Sequence, residues 1–255
     1  GGDETALRLS ADAFISTGLP VGTAPVIPYK GRLTCPTAGV IDITAMWVFV
    51  LEYTSACIRR GKMPVFWKSV CVPAGMGWIE KYAEQVFHAS GEFEIPPVPE
   101  KELASTYLAN LHRCLAGIRS TELEKIRETG ELAARSIQSG GTVYCDAIGH
   151  HMHSQRGIDG DPGFFVMGFP ESDEKAGPFK KGDYYIYNGY YVYPADLLEA
   201  VREADIRSTW IMGGNEVDSV CPHNGELHVD AYWRYGDASV RIPGYGVKVA
   251  PASGV

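Results

Sequence analysis

The sequence predicts an α/β fold, a three-layer sandwich with a mainly parallel sheet. Strand-forming runs at 142–148, 183–187 and 208–212 carry this prediction, and each is followed by a glycine or a polar residue. An amphipathic helix is predicted before the first run, and a helix beginning at Pro194 lies between the second and the third. Strands that alternate with helices are typical of a parallel sheet.

The N-terminal part is predicted to contain short strands before residue 29 and a long helix over 39–60. Arg59, Arg60 and Gly61 mark the end of this helix, because cations stabilise the negative pole of the helix dipole and glycine favours termination. So many of its residues are apolar that we expect it to be covered on most sides.

A domain boundary is expected within 91–100, because this segment contains three prolines and three acids. It divides the chain into an N-terminal segment, 1–98, and a core, 99–255. The remaining predicted elements are helices at 79–88, 103–119 and 121–139 and strands near 164–168, 227–230, 238–242 and 247–250.

The helix over 121–139 has both a predicted start and a predicted apolar face. Thr121 and Glu124 fit a capping box, in which each side chain hydrogen-bonds a backbone amide of the first turn. Leu123, Ile126, Gly130, Ala133 and Ile137 recur every three or four residues, which is typical of a helix with one apolar face.

Composition excludes several classes of protein. A net charge of −8 and a pI near 5.4 argue against nucleic-acid partners, which require a basic face. The most apolar window, 43–51, is too short to cross a bilayer and lies between Asp42 and Glu52, so we expect a buried helix and no membrane association. The six cysteines form no CxxC pair and no secretory signal is recognisable, so we expect a cytoplasmic protein with reduced thiols.

The predicted ligand site lies at the carboxyl ends of the strands, where open parallel sheets bind their ligands. Three loops follow strands there and contain all of the candidate residues. As acid or base groups we expect His150, His151, His153 and Glu216. As ligand-binding groups we expect Gly149, Ser154, Asn188, Gly189, Tyr190, Tyr191, Gly213, Gly214 and Asn215.

Imidazole and carboxylate groups suit proton transfer near neutral pH, which explains the choice of histidines and Glu216. The alternative for the histidines is a polar loop that caps a helix or faces solvent. Glu52 is a second candidate base, with a structural ion pair as the alternative. His223 and His228 flank a predicted turn and could share a ligand, although such residues are more often loop surface.

Several segments resemble the sugar isomerase (SIS) domain family, in particular phosphoheptose isomerases. The likeness lies in the helix pair before Gly140-Gly141, in the strand that runs into 149–154, in Lys181-Gly182-Asp183, and in 236–238 followed by 249–253. The resemblance implies a flavodoxin-like parallel sheet. The family continues after the last of these segments into a long helix, which in this chain occurs only near the front, at 39–60.

This order implies either a circularly permuted domain or a fragment of a protein with two such domains. Two short stretches, 2–9 and 31–40, echo 236–242 and 246–255 in the same order, as a duplication would. The segment 1–98 then resembles the C-terminal part of an SIS domain, and 99–255 its sugar-binding core.

The resemblance implies an aldose–ketose isomerase that forms a dimer or a tetramer and binds a small sugar or sugar derivative. A non-catalytic sugar-binding module and a structural subunit of a larger assembly are the alternatives. Some relatives carry zinc, but the sequence offers no clean tetrahedral ligand set, so we expect no cofactor, with zinc as the alternative. The family's phosphate loop is rich in serine and threonine. Here 188–193 contains neither, so we expect a sugar without a tightly held phosphate.

Overall fold

The structure is a computed structural model, and its description covers part of the chain. The described residues are 15, 25–29, 31–70, 72–147, 166–167, 179–189, 193–213, 222–223, 225–234 and 238–252. They belong to two compact units: an N-terminal unit, drawn from 1–109 and 238–253, and a central unit, drawn from 110–237. These units do not follow the segments 1–98 and 99–255, whose relation to the SIS family stays a prediction.

Helices and strands follow one another along the chain in a mixed order. In chain order they are β1 (Pro25–Tyr29), β2 (Arg32–Pro36), α1 (Ala38–Arg59), α2 (Gly75–Tyr82), α3 (Glu102–Gly117), a π-helical turn (Ile118–Glu122), α4 (Leu123–Gln138), β3 (Val143–Ala147), β4 (Val166–Met167), β5 (Tyr184–Asn188), α5 (Ala195–Glu203), β6 (Arg207–Met212), β7 (Glu226–Asp230), β8 (Ala238–Arg241) and β9 (Lys248–Pro251). Strands β1 and β2 form an antiparallel hairpin, and so do β8 and β9.

A five-stranded sheet with the order β4-β3-β5-β6-β7 forms the central unit. Every pair of neighbouring strands in it is parallel, which confirms the α/β class and the parallel sheet. Counted from β3 in chain order, the strand order is 2-1-3-4-5, the order of flavodoxin-like sheets. The predicted strands at 142–148, 183–187 and 208–212 correspond to β3, β5 and β6.

Successive strand residues point to opposite sides of this sheet, so each face has its own buried cluster, and each cluster includes residues of a helix. One face packs against α5 through a cluster that includes Tyr185, Tyr187, Leu198, Val201, Trp210 and Met212. The other face packs against α4 through Leu132, Ala133, Val143 and Tyr184. Both clusters are mostly buried aromatic and aliphatic side chains, which supply the largest apolar burial in a core.

The predicted capping box is wrong, since no helix begins at Thr121. That residue lies within the π-helical turn that joins α3 to α4, and its hydroxyl oxygen lies 3.1 Å from the carbonyl oxygen of Gly117. The ring of Tyr232 lies against Gly117 so closely that a Cβ there would overlap it. Glycine therefore allows Tyr232 to pack against the helix just before the turn.

The apolar spacing predicted for α4 is buried only in part: Ala133 packs against the sheet, but Leu123, Ile126 and Ile137 are exposed. The face that meets the sheet is also held by hydrogen bonds. These bonds are Lys125 Nζ to the His228 carbonyl at 2.8 Å, Thr129 Oγ1 to Thr209 Oγ1 at 2.8 Å, and Ser136 Oγ to the Gly182 carbonyl at 2.7 Å.

The long N-terminal helix shares a core with the C-terminal hairpin. Leu51 and Ile58 of α1 belong to the same buried cluster as Tyr107 of α3, Val240 of β8 and Val249 of β9. The expectation that α1 is covered on most sides is wrong, because its outward face is exposed. Among the described residues, α1 is the one helix long and apolar enough to cross a membrane by length and composition. A helix that packs in a core passes the same test, so location stays a prediction.

Candidate functional site

The strand order defines a switch point between β3 and β5. From β3 the chain crosses to β4 on one side, and β5 lies on the other side. Open parallel sheets bind ligands in the crevice at such a point, outside the carboxyl ends of the strands. Ala147 and Asn188, the last residues of β3 and β5, are paired in register, so the two strands end at the same edge of the sheet.

Three of the predicted site residues are described, and all lie at this edge. Asn188 ends β5, and the amide of Gly189 donates to the carbonyl of Ile211 in β6 at 2.9 Å. Gly213 directly follows β6. The other predicted residues lie outside the described residues: Gly149, His150, His151, His153, Ser154, Tyr190, Tyr191, Gly214, Asn215 and Glu216.

Packing explains both described glycines. A Cβ on Gly189 would overlap the ring of Tyr187, and a Cβ on Gly213 would lie 2.8 Å from the ring of Trp233. Only a residue without a side chain lets the backbone pass these rings. These glycines therefore shape the edge of the sheet at which the predicted loops begin.

Asp146 is a candidate binding residue that sequence reasoning missed. It lies one residue before the end of β3, half-buried, directly opposite Tyr187 of β5. Burial, and then the charge of Asp146, raise the pKa of Tyr187 to about 12. The same two causes raise the pKa of Tyr185. Both phenols are therefore protonated at neutral pH. The signal in the sequence was a lone carboxylate at the carboxyl end of an otherwise apolar strand.

These groups suit the recognition of hydroxyl groups. The Asp146 carboxylate accepts hydrogen bonds, and the Asn188 amide both donates and accepts them. Because neighbouring residues of a strand point to opposite faces, Asp146 lies on the α5 face, with Tyr187, and Asn188 on the α4 face. Together they place polar groups on both faces of the sheet beside the switch point.

The buried carboxylate of Glu122 stabilises the end of β7, at the same edge of the sheet. Glu122 accepts hydrogen bonds from Lys125 Nζ at 2.8 Å, from Thr121 Oγ1 at 2.9 Å and from the amide of Asp230 at 3.3 Å. The hydroxyl of Tyr232 in turn lies 2.5 Å from Thr121 Oγ1. Because its partners come from the protein itself, Glu122 holds the π-helical turn against the end of β7.

His228 belongs to a buried network rather than to a ligand site shared with His223. Its ring nitrogens lie 3.0 Å from the Tyr193 hydroxyl and 3.4 Å from a Glu226 carboxylate oxygen. Arg202 donates two hydrogen bonds to Glu226, at 2.7 and 2.9 Å. Burial alone would raise the pKa of Glu226, but Arg202 and the amide of His223 outweigh it and lower the pKa to about 2.

Glu52 has a structural role, but its partner is a backbone amide and not the cation of the predicted ion pair. One of its carboxylate oxygens accepts a hydrogen bond from the amide of Lys101 at 3.0 Å. Lys101 immediately precedes α3 and has a φ of 66°. The carboxylate therefore satisfies a backbone donor at the start of a helix, as a capping group does.

A second histidine network, which sequence reasoning also missed, lies in the N-terminal unit. The ring of His88 contacts the Tyr245 hydroxyl at 2.9 Å and Glu92 at 3.2 Å. Hydrogen bonds from Tyr82, at 2.6 Å, and from Lys81, at 3.1 Å, lower the pKa of Glu92 to about 2.

A hydroxyl, an imidazole and a carboxylate in this order resemble a proton relay, but the hydroxyl is unsuited to one. Burial raises the pKa of Tyr245 to about 12. Its oxygen also accepts a hydrogen bond from the amide of Phe66 at 3.2 Å. The network therefore ties the turn between β8 and β9 to the segment around His88, as a structural element.

Metal ligands do not cluster in the described part of the chain, where no group of three or more His, Cys, Asp or Glu side chains could hold an ion. The histidines of 149–154 lie outside it, so the absence of a cofactor stays a prediction. No protein-family model and no curated protein matches the sequence. The resemblance to the SIS family thus rests on short segments of the sequence, such as 149–154 and 249–253.

Proposed function

We propose that this protein is a sugar isomerase of the SIS type, with its site at the carboxyl edge of β3, β5 and β6. The observation that carries the proposal is the strand order. In the order β4-β3-β5-β6-β7, the His-containing loop after β3 and the Tyr-containing loop after β5 begin at neighbouring strand ends. A parallel sheet of this order, with helices on both faces, is the arrangement that an SIS-like sandwich requires.

The reaction would move a proton between adjacent carbons of an open-chain sugar. A base removes the proton from the carbon beside the carbonyl while an acid protonates the carbonyl oxygen, which gives an enediol. The proton then returns to the former carbonyl carbon as the hydroxyl on the neighbouring carbon loses its proton and becomes the new carbonyl. His150, His151, His153 and Glu216 are the proposed proton carriers. Gly149, Ser154, Gly214 and Asn215 would contact the sugar beside them, and the rings of Tyr190 and Tyr191 would stack against it.

Asp146 and Asn188 would bind hydroxyl groups of the sugar, and the charge of Asp146 favours an unphosphorylated ligand. A phosphate near the half-buried Asp146 carboxylate would meet like charge, and 188–193 offers no serine or threonine hydroxyl to offset it. Each lost charged hydrogen bond costs about 1.5–3 kcal/mol. Two such losses weaken binding by roughly a hundredfold or more, at about 1.4 kcal/mol per tenfold.

A non-catalytic sugar-binding module is the second candidate function. It is favoured by Asp146 and Asn188, which bind hydroxyls without transferring a proton. It differs from the isomerase in one measurable respect: a binding module leaves the carbon-bound protons of its ligand in place.

Proton exchange in heavy water tests the isomerase directly. We expect deuterium to enter the carbon next to the carbonyl of one or more unphosphorylated aldoses, followed by nuclear magnetic resonance. Glu216→Gln and the single His→Ala variants at 150, 151 and 153 identify the proton carriers. Loss of the base should slow exchange by about 10²–10⁴-fold.

His223→Ala is the matched control, since His223 is exposed and lies before the amino end of β7, at the opposite edge of the sheet. It should exchange at the wild-type rate. Sugar binding without deuterium incorporation in any aldose of the panel would exclude the isomerase and leave the binding module.

A further inference from the structure

The outward face of α1 is an apolar stripe with charged ends. Its members recur alternately four and three residues apart, the spacing with which helices pair along a seam. They are Asp42, Met46, Phe49, Tyr53, Ala56 and Arg60. The three large side chains, Met46, Phe49 and Tyr53, are 47%, 55% and 50% exposed. The opposite side of the same helix packs in the core of the N-terminal unit through Leu51 and Ile58, although Val40 and Ile41 near its start are also exposed.

The stripe is complementary to itself when two copies run antiparallel. A twofold axis at the level of Leu51 would place Asp42 opposite Arg60 of the second copy, and Phe49 opposite Tyr53. Met46 would lie opposite the small Ala56. By symmetry each of these pairs occurs twice, so opposite charges meet at both ends and aromatic rings meet at the centre. A parallel pair would instead place Asp42 against Asp42.

We propose that α1 is the interface of a homodimer, in which two copies of this helix pack antiparallel along the stripe from Asp42 to Arg60. The occupant of the apolar face is therefore a second copy of this chain. The charge pattern distinguishes it from a lipid surface, which would leave Asp42 beside apolar chains at a cost. The proposal does not rest on the proposed function, because α1 belongs to the N-terminal unit and the residues of the proposed sugar site to the central unit.

The expected affinity follows from the size of the stripe. Six residues at this spacing extend about 27 Å along a helix. Three half-exposed large side chains contribute roughly 300 Å² per copy. Even with the flanking residues, this stays below the area of a standard protein interface, which buries about 800 Å² per partner. We therefore expect a concentration-dependent dimer with a dissociation constant on the order of 10–100 μM.

Sedimentation velocity of the whole chain between 1 and about 300 μM tests the interface. Charge reversal of one end, Asp42→Arg or Arg60→Asp, should weaken the dimer at least about tenfold, because repulsion replaces attraction at both ends. The double variant D42R/R60D should restore the affinity to within about threefold, because the charges are again opposite across the axis. The two residues are too far apart in one chain to compensate within it.

Phe49→Asp should abolish the dimer. Tyr53→Asp provides a second test, because Tyr53 lies opposite Phe49 of the second copy across the twofold axis. Glu84→Arg is the control, since Glu84 is exposed in the N-terminal unit but lies outside α1. Circular dichroism verifies that each variant is folded. A wild-type chain that stays monomeric at every concentration overturns the proposal. So does a double variant that fails to recover, or a monomer that binds vesicles of phosphatidylcholine and phosphatidylglycerol through α1.

Discussion

At the residue scale, the carboxyl edge of the sheet depends on positions that could not carry another side chain. Gly213 directly follows β6, where the ring of Trp233 leaves no room for a Cβ. Asp146 lies half-buried beside the protonated phenols of Tyr185 and Tyr187. It is a polar residue at this edge that the predicted loops do not include. The position of Gly213 after a strand indicated a ligand contact, but its packing against Trp233 depends on a partner that spacing does not indicate.

Gly213→Ala should destabilise the fold by about 1–3 kcal/mol, because the added methyl group overpacks against Trp233. Urea unfolding measures the change. Gly130→Ala is the control, since a Cβ there meets nothing within 4 Å and lies in the exposed part of α4. That substitution should stabilise the chain by about 0.5–1 kcal/mol. Equal effects at the two glycines would contradict the packing at Gly213.

The His88 network makes stability depend on pH in two ranges. Burial lowers the pKa of His88 below its ordinary value of 6.5. At pH values between the lowered pKa of His88 in the folded chain and 6.5, the unfolded chain binds a proton that the folded chain does not. Stability therefore rises with pH over this range, and the full contribution of His88 is present above pH 6.5. The pKa of Glu92 is lowered from 4.5 to about 2, so its contribution is lost as pH falls through that interval.

The pH dependence of the thermal midpoint distinguishes the two groups. His88→Gln should flatten the profile just below about pH 6.5, and Glu92→Gln should flatten it below about 4.5. Because His88 and Glu92 contact each other, each variant should also shift the range of the other group: without Glu92, which raises the pKa of His88, the His88 range should extend to lower pH. A His88→Gln profile that runs parallel to the wild type throughout would show that His88 does not titrate in a buried site.

At the element scale, the strands were more predictable than the helix faces. The sequence predicted β5 and β6 to within one residue at each end, because their apolar runs are bounded by residues that favour turns. The buried face of α4 was predicted only in part, since Ala133 of the apolar spacing packs against the sheet. Lys125, Thr129 and Ser136, which that spacing does not include, hydrogen-bond the sheet. Hydrogen bonds between distant residues leave no periodic signal in a sequence.

Substitution of Glu122 tests whether the buried carboxylate of this residue holds the π-helical turn in place. Glu122→Ala should destabilise the fold by about 2–3 kcal/mol, because it leaves the Asp230 amide and the Lys125 ammonium without this acceptor. Glu124→Ala, two residues away, should change stability by less than about 0.5 kcal/mol, since its side chain is 82% exposed. Denaturant unfolding compares the two, and a Glu122→Ala variant as stable as Glu124→Ala would refute the role.

At the scale of the whole molecule, the chain forms two compact units whose residues interleave along the sequence. The C-terminal hairpin β8–β9 shares the core of the N-terminal unit with α1 and α3. The echo between 31–40 and 246–255 indicated a relation between the two ends of the chain, but it did not predict this shared core. Contacts between residues so far apart in sequence depend on side chains that meet only in the folded chain.

The proposed function depends above all on one property, the binding of a sugar without a tightly held phosphate at the edge of β3 and β5. Isothermal titration calorimetry with matched pairs, each a sugar and its phosphate, tests it on the wild type, Asp146→Asn and the control Glu84→Ala. We expect an unphosphorylated sugar to bind, less than a tenfold gain from its phosphate, and at least about tenfold weaker binding in Asp146→Asn alone, at about 1.4 kcal/mol per tenfold. A hundredfold gain from the phosphate, or binding of no sugar in the panel, would contradict this property.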